Sequence, residues 1–285
     1  MSEIFIILAC VPLYVTNAFC DKFVSTKDGN KNIFLYNCIK FFIGAIALFP
    51  FLFIDSKPIF TMGALICGIG CGVMYAVSKT LILKGYELSS VAFMTLCHSA
   101  GMILPCILGH LLWSEKLTVV SIFGILLTVL SIVLLKGGSK EKAKLGISGI
   151  IIGLIVFISS GSIMIIQKLM AIYYASDSVT AYNFYSFVAA ALILIFLVKP
   201  RGEGHSSRKY IIPAAIGSAI SLSVISMVMT SLAGRVPSAI LFPSFNGLGI
   251  TLVSLGSVFA FGEKLTVKRA FGLIIGLIGL CLINL

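Results

Sequence analysis

Long apolar runs, separated by short polar segments, fill almost the whole chain. Each run is long enough for an α-helix to cross about 30 Å of hydrocarbon, which takes roughly 20 residues. Because the runs are continuously apolar rather than alternating, helices are expected and the strands of a membrane barrel are not. The pattern therefore predicts an all-α membrane protein with ten transmembrane helices. The predicted spans are roughly 3–24, 31–54, 59–84, 89–113, 117–136, 145–172, 178–198, 209–232, 237–261 and 266–284.

The two halves of the chain resemble each other. The sequence SEKLT at 114–118 returns as GEKLT at 262–266, 148 residues later. Each copy then holds an odd number of spans, so the second copy enters the membrane from the side opposite to the first. The repeat predicts two inverted five-helix repeats, 1–140 and 145–285, and this architecture is typical of secondary transporters.

Composition supports a membrane protein rather than a soluble one. Of the 285 residues, 59% are hydrophobic and 11% are charged, whereas a soluble domain has about 25% charged residues. The net charge of +11 lies largely in short loops between apolar runs, as in membrane proteins, so nucleic-acid binding is not expected. All eight cysteines lie inside apolar runs without a Cys-x-x-Cys pair. We therefore expect packing roles for them, and neither a metal site nor a cofactor.

The basic residues are unevenly divided between alternate loops. One set of loops carries most of them, whereas the other set holds Lys57, Lys116 and Arg235. Under the positive-inside rule the basic set lies in the cytoplasm, which places both termini outside. The segment from Met1 to Glu3 lacks the basic region of a signal peptide, so the first apolar run is expected to be the first span.

These features resemble the drug/metabolite transporter superfamily, in its ten-helix form with two EamA-type domains. The two EKLT sequences carry the resemblance, because each is followed by an apolar helix with an early glycine, Gly124 or Gly272. The basic residues that end the first helix of each half, Lys22 and Lys168, fit as well, and so does Lys40 in the second helix.

The resemblance implies a transporter of small metabolites that works by alternating access, with a central cavity between the halves. Relatives in this superfamily move amino acids, nucleotide sugars, sugar phosphates, choline-like amines or drugs. The resemblance also implies termini in the cytoplasm, which is the opposite of what the loop charges predict. Orientation therefore stays open at this point.

The substrate site is expected at the middle of the fourth and ninth spans. Polar groups inside lipid are costly, so those that occur there are candidates for function. His98 and Asn246 take the same place in the two halves, and their side chains can donate, accept or, for His98, take up a proton. Thr95 and Ser99 lie near His98, and Phe245 precedes Asn246. The alternative is a histidine satisfied by a neighbouring backbone carbonyl.

Lysines within the spans are the next candidates. Lys79, beside Tyr75 in the third span, would hold a carboxylate or phosphate of a substrate. The alternative for Lys79 is snorkelling to the nearby membrane surface. Lys40 is expected to snorkel or to make a fixed contact between helices. Lys22 and Lys168 are expected to anchor their helices at the interface.

Hydroxyl and amide groups provide a further set of candidates. In the eighth span, Ser223, Ser226 and Thr230 share one helix face, which would form a polar wall along the transport path. Hydroxyls that bond their own helix are the alternative. Asn17 in the first span and Ser160 in the sixth are a comparable pair of polar positions in the two halves.

Acidic residues argue against one mechanism. Glu115 and Glu263 lie at the membrane edge and are expected to have structural loop roles, and no Asp or Glu is expected in the middle of a span. A cation exchanger driven by a buried carboxylate is therefore disfavoured. Neutral, zwitterionic or anionic substrates fit better, although an aromatic cage would still hold a cation.

The sequence therefore predicts a secondary-active transporter of a small polar metabolite, such as an amino acid, in the plasma or inner membrane. A transporter of choline-like cations or drugs with the same fold, and a non-transporting receptor or scaffold, are the alternatives. An enzyme is not expected, because the three histidines form no catalytic constellation. The expected partners are the substrate, the lipid bilayer and a coupling proton or ion, with the protein a monomer or homodimer.

Overall fold

A computed structural model describes residues 2–28, 33–55, 57–88, 91–116, 118–136, 147–198, 205–261 and 267–283. All regular secondary structure in these segments is helical. The helices are α1 Ser2–Asp28, α2 Ile33–Ile54, α3 Met62–Leu88, α4 Val91–Ala100, α5 Ile103–Trp113, α6 Val119–Lys136, α7 Ile147–Tyr173, α8 Val179–Ile195, α9 His205–Ala233, α10 Ser238–Phe261 and α11 Val267–Ile283. The prediction of an all-α membrane protein is confirmed.

The described helices account for ten spans. Five of them are long and apolar enough to cross a membrane, and shorter apolar helices supply the remaining five. The described helix bounds lie within about four residues of the predicted spans, and the fourth span is interrupted rather than continuous. The fourth span, 89–113, is two helices, because α4 ends at Ala100 and α5 begins at Ile103.

The interruption of the fourth span follows from its sequence. Pro105 has no N–H to donate to the carbonyl of Gly101, and its ring crowds that carbonyl. Instead, the N–H of Leu104 donates to the Gly101 carbonyl at 3.1 Å, and the N–H of Met102 donates to the Ser99 carbonyl at 3.2 Å. Both are tight three-residue turns, so α4 and α5 form a discontinuous transmembrane helix.

Helices of the first repeat pack mainly on helices of the second. α1 packs on α9 and α10, and its repeat equivalent α7 packs on α3, α4 and α5. α2 packs on α8 and α9, and its equivalent α8 packs on α2 and α3. α6 and α11, the last helices of the two halves, pack on each other. These matched pairs follow the pattern of a two-fold axis between the halves, as inverted repeats require.

The outer surface is apolar and the polar groups point inward. On α2, Phe42, Ile46 and Phe53 are exposed, whereas Asn37 and Lys40 are buried. In water this arrangement would be unfavourable, but in lipid the apolar side chains are solvated and the polar side chains find partners inside the bundle. The polar residues that position a site therefore lie between the two repeats.

Candidate functional site

A cluster of charged and polar side chains joins α1, α2 and α9. The Asp21 carboxylate of α1 accepts hydrogen bonds from Tyr36 Oη (2.6 Å) and from Lys40 Nζ (3.0 Å), both on α2. Ser218 Oγ on α9 donates to the same carboxylate at 3.3 Å. Asn17, one turn before Asp21, donates through Nδ2 to the Ser218 carbonyl at 3.2 Å. This Asp21 cluster therefore ties the first repeat to the second.

The two charges of this cluster differ in exposure. The Lys40 side chain is 0% exposed, whereas the Asp21 side chain is 27% exposed. The expectation of a fixed interhelical contact for Lys40 is confirmed, and snorkelling is not. The sequence predicts no acid in the middle of a span, and Asp21 lies near the end of the apolar span Glu3–Val24. Three donors compensate its charge, and without such donors a carboxylate there would be strongly unfavourable.

Lys79 of α3 lies beside the Asp21 cluster. Its side chain is half-buried, and it is within electrostatic range of both Lys40 and Asp21. Its backbone carbonyl accepts a hydrogen bond from Asn37 Nδ2 at 3.4 Å, which links α3 to α2. Within the described segments, no group accepts a hydrogen bond from the Lys79 ammonium. Lys79 as a ligand for a substrate anion stays a prediction, now with charged neighbours that the sequence did not reveal.

Ser226 of α9 is the centre of a second polar cluster. Its hydroxyl donates to Asn183 Oδ1 of α8 and lies 3.2 Å from Tyr75 Oη of α3. Gln167 of α7 donates through Nε2 to the same oxygen at 3.4 Å. All four side chains are buried, and they come from both repeats. The structure thus brings together two predicted site residues, Tyr75 and Ser226, and adds Asn183 and Gln167.

The other hydroxyls of the predicted polar wall bond their own helix. Ser223 Oγ donates to the Ala219 carbonyl at 2.8 Å, and Thr230 Oγ1 donates to the Ser226 carbonyl at 2.7 Å. Ser223 also reaches across to the carbonyl of Gly44 on α2 at 3.3 Å. Among these three residues, Ser226 is therefore the one whose side chain forms hydrogen bonds with side chains of other helices.

An ion pair joins the repeats at the membrane edge where α5 ends. Glu115 Oε1 lies 2.6 Å from Lys168 Nζ of α7, and both side chains are largely buried. Glu115 Oε2 accepts from the N–H of Ser238, the first residue of α10, at 2.7 Å. Lys168 Nζ also donates to the Val236 carbonyl at 3.0 Å. We call this arrangement the Glu115–Lys168 pair.

The Glu115–Lys168 pair depends on local backbone geometry. Ser114 ends α5 in the left-handed conformation with φ 51°, which turns the chain back. The N–H of Glu115 then donates to the Gly109 carbonyl at 3.1 Å. A Cβ at Gly109 would collide with the Glu115 carboxylate and displace it, so the glycine leaves room for the pair. The expected structural role of Glu115 holds, whereas Lys168 is a buried ion-pair partner rather than an interface anchor.

The connecting segments at this same edge are also joined across the repeats. Asp55, after α2, accepts through Oδ2 from Ser178 Oγ at 2.6 Å. Lys57 Nζ donates to the Ala175 carbonyl at 2.7 Å. Asp177 Oδ2 accepts from the N–H of Ala64 at 3.2 Å. Together with the Glu115–Lys168 pair, these bonds join the two halves at this edge.

His98 lies in the last turn of α4, beside the interruption of the fourth span. Its carbonyl accepts from Ser160 Oγ of α7 at 2.9 Å. Gly101 lies so close to α7 that a Cβ there would collide with Ser160. Ser99 is buried. Thr95 is on α4 too, but its side chain is outside the described part of the structure.

Asn246 is buried in α10. Its Nδ2 donates to the carbonyl of Phe242 at 2.9 Å, one turn earlier in the same helix. Phe245 packs edge-on against Tyr14 of α1, with ring centroids 5.3 Å apart. The hydrogen bond given for Asn246 lies within its own helix, so its partnership with His98 around a substrate stays a prediction. The described residues contain no group of His, Cys, Asp and Glu that would hold a metal ion.

Comparison with known proteins agrees with this architecture. Residues 1–136, which contain α1 to α6, match the model of the EamA-like transporter family. A crystal structure of another protein is similar over 99% of this chain and 96% of its own, with a TM-score of 0.78 and 15% sequence identity. That identity is low, so the likeness shows the fold alone. A search of curated proteins finds no match. The family match covers the first 136 of the 285 residues, and over the rest of the chain the likeness to the crystal structure is one of fold.

Proposed function

We propose that this protein is a secondary-active transporter that moves a small polar metabolite across the cell membrane by alternating access. Two observations support this proposal: residues 1–136 match the model of a transporter family, and five described helices are long and apolar enough to cross a membrane. The proposed moving units are the two inverted repeats, 1–140 and 145–285. No chemical transformation of the solute is part of the proposal, so the protein is not an enzyme in this account.

The Ser226 cluster is the observation that carries the proposal. Tyr75 of the first repeat and Gln167, Asn183 and Ser226 of the second form a buried polar contact inside an otherwise apolar bundle. Polar side chains are costly in the membrane interior, and those that occur between helices often mark the path of a substrate. A polar surface between the halves is what a path for a polar solute requires.

The uneven closure of the two membrane edges supports alternating access. At the edge where α5 ends, the Glu115 and Lys168 side chains are 11% and 4% exposed. Toward the opposite edge, the Asp21 side chain is 27% exposed although it accepts several hydrogen bonds. We infer that the described state is closed at the Glu115–Lys168 pair. Transport then requires this pair to break while contacts at the opposite edge form.

The charges favour a neutral, zwitterionic or anionic solute over a cation. A carrier of organic cations needs an available carboxylate or an aromatic cage. The interior carboxylate of Asp21 is already paired with Lys40. By contrast, the ammonium of Lys79 forms no ion pair or hydrogen bond with another group in the described segments.

Flux measurements test the proposal. Purified protein in proteoliposomes is offered a mixture of labelled amino acids, carboxylates, sugar phosphates and choline, and the vesicle contents are measured by mass spectrometry. We expect protein-dependent entry of at least one neutral, zwitterionic or anionic solute. Entry of choline alone would favour the cation transporter. Saturable binding of a solute without entry would replace the transporter with a receptor.

A further inference from the structure

Three interior charges of the first repeat do not balance. Asp21 contributes one negative charge, and Lys40 and Lys79 contribute two positive charges within electrostatic range of it. Lys40 donates two hydrogen bonds to the Asp21 carboxylate, at 3.0 and 3.3 Å. The carboxylate is therefore committed to Lys40, and one positive charge is left over.

The surplus charge belongs to Lys79. Its ammonium can donate three hydrogen bonds. Within the described segments, no group accepts a hydrogen bond from it. Lys79 is within electrostatic range of Asp21, whose carboxylate accepts a hydrogen bond from Ser218 of the second repeat, so the group lies near the contact between the halves. An ammonium inside a membrane protein is normally paired or solvated in a polar cavity. The missing partner is thus a group with negative charge and hydrogen-bond acceptors.

Polar neighbours on the other helices make the position suitable for an anion. Tyr36 and Ser218 already donate to Asp21 and hold its carboxylate in place, so the carboxylate does not need Lys79. The Asp21 side chain is partly exposed, so solvent or solute reaches the edge of the cluster. A cation entering here would meet net positive charge and would be repelled.

We propose that Lys79, with Lys40 and Asp21 beside it, binds the oxyanion group, carboxylate or phosphate, of the transported solute. This inference rests on the proposed transport function and narrows its substrate class. Lys79 makes the direct charge-assisted hydrogen bonds. Lys40 adds positive potential, and Asp21 holds Lys40 and limits the affinity so that the anion is released on the other side of the membrane.

Binding measurements with small oxyanions test the site without knowledge of the full substrate. The thermal unfolding of the purified protein is followed in detergent at constant ionic strength, with inorganic phosphate, acetate or choline chloride added in series. The variants are Lys79→Met, Lys79→Arg and Asp21→Asn. Lys84→Met is the matched control, because Lys84 is on the same helix but exposed, over the Phe34 ring.

The proposal predicts opposite effects for the two charges. At least one oxyanion should stabilise the wild type saturably, and choline should not. Lys79→Met should weaken oxyanion binding by about 10- to 100-fold, the loss of charged hydrogen bonds, and Lys79→Arg should restore much of it. Asp21→Asn should strengthen binding, and Lys84→Met should leave it unchanged.

Two results would overturn the site. One is the absence of a saturable shift with either oxyanion, and the other is binding that is equal in the wild type and Lys79→Met. If Lys79→Met does not fold, Asp21→Asn still decides, because weaker or unchanged oxyanion binding in that variant contradicts the proposal. Failure of the proposed transport function can be distinguished from failure of the proposed site. Oxyanion binding without flux removes transport and keeps the site, and flux of a solute without Lys79-dependent binding removes the site alone.

Discussion

Removing the Lys168 ammonium should open the membrane edge where α5 ends. Lys168→Met keeps the length of the side chain but leaves the Glu115 carboxylate without its ion-pair partner, which lies at 2.6 Å. The Ser238 N–H, at 2.7 Å, remains its hydrogen-bond donor. Because the pair joins the two repeats, its loss destabilises the closed state specifically and favours a state in which the halves have separated there.

The size of the effect follows from the burial of the pair. The Glu115 side chain is 11% exposed and the Lys168 side chain is 4% exposed. Removing one partner of such a buried pair costs about 3–5 kcal/mol. Because the Ser238 N–H still compensates part of the charge, we expect the lower end, about 3 kcal/mol. That is more than about a 100-fold change in the equilibrium between closed and open states.

Cys106 provides a native reporter of this opening. Its thiol is 3% exposed and donates toward the carbonyls of Met102 and Ser238. In a variant that keeps Cys106 as its single cysteine, the rate of labelling by a water-soluble maleimide measures how often this edge opens. We expect Lys168→Met to raise the labelling rate strongly.

Two further variants control the measurement. Lys116→Met removes a neighbouring exposed lysine and should leave the labelling rate unchanged. The double variant Glu115→Gln/Lys168→Met leaves no buried charge unpaired, so its stability should recover toward the wild type. If folded Lys168→Met labels Cys106 no faster than Lys116→Met does, the pair does not hold this edge closed and the reasoning is refuted.

Three other predictions follow from the clusters and close contacts. Ser226→Ala leaves its polar neighbours without their hydrogen-bond partner. It should lower the free energy of unfolding by about 1–3 kcal/mol, measured by thermal or denaturant unfolding. An unchanged free energy of unfolding would show that the cluster does not stabilise the fold. Gly101→Ala places a Cβ 2.8 Å from the backbone N of Gly161, so it should destabilise by about 1–3 kcal/mol through overpacking, and wild-type stability would contradict the close crossing. His98→Ala and Asn246→Ala should each reduce solute flux in proteoliposomes, and wild-type flux at normal expression in both would remove them from the substrate site.

Hydropathy was sufficient for the spans because the membrane sets their length. About 20 apolar residues are needed wherever a helix crosses, so the helix bounds follow from local sequence. The interruption of the fourth span was missed because a proline inside an apolar run is compatible with a kinked but continuous helix. Pro105 together with Gly101 was the available signal.

Local sequence did not predict which residues of one repeat form hydrogen bonds or ion pairs with residues of the other. Asp21 precedes Lys22 near a span end, so it reads as an interface residue, and its partners Lys40 and Ser218 come from other helices. The spacing of Asn17 and Asp21, four residues apart on one helix face, was the sign of a polar face on α1. Tertiary packing decides which polar group meets which, and that information is spread over the whole chain.

The central claim is that the two repeats must separate at the edge of the Glu115–Lys168 pair for a solute to cross. Asp55 and Ser178, whose side chains meet at 2.6 Å across the repeats at that edge, are replaced by cysteines in a variant without native cysteines and joined by a short thiol cross-linker. The most direct measurement is solute flux in proteoliposomes before cross-linking, after it, and after reductive cleavage of a reducible linker. The account predicts flux that stops on cross-linking and returns on cleavage, and unchanged flux through the cross-linked protein would contradict it.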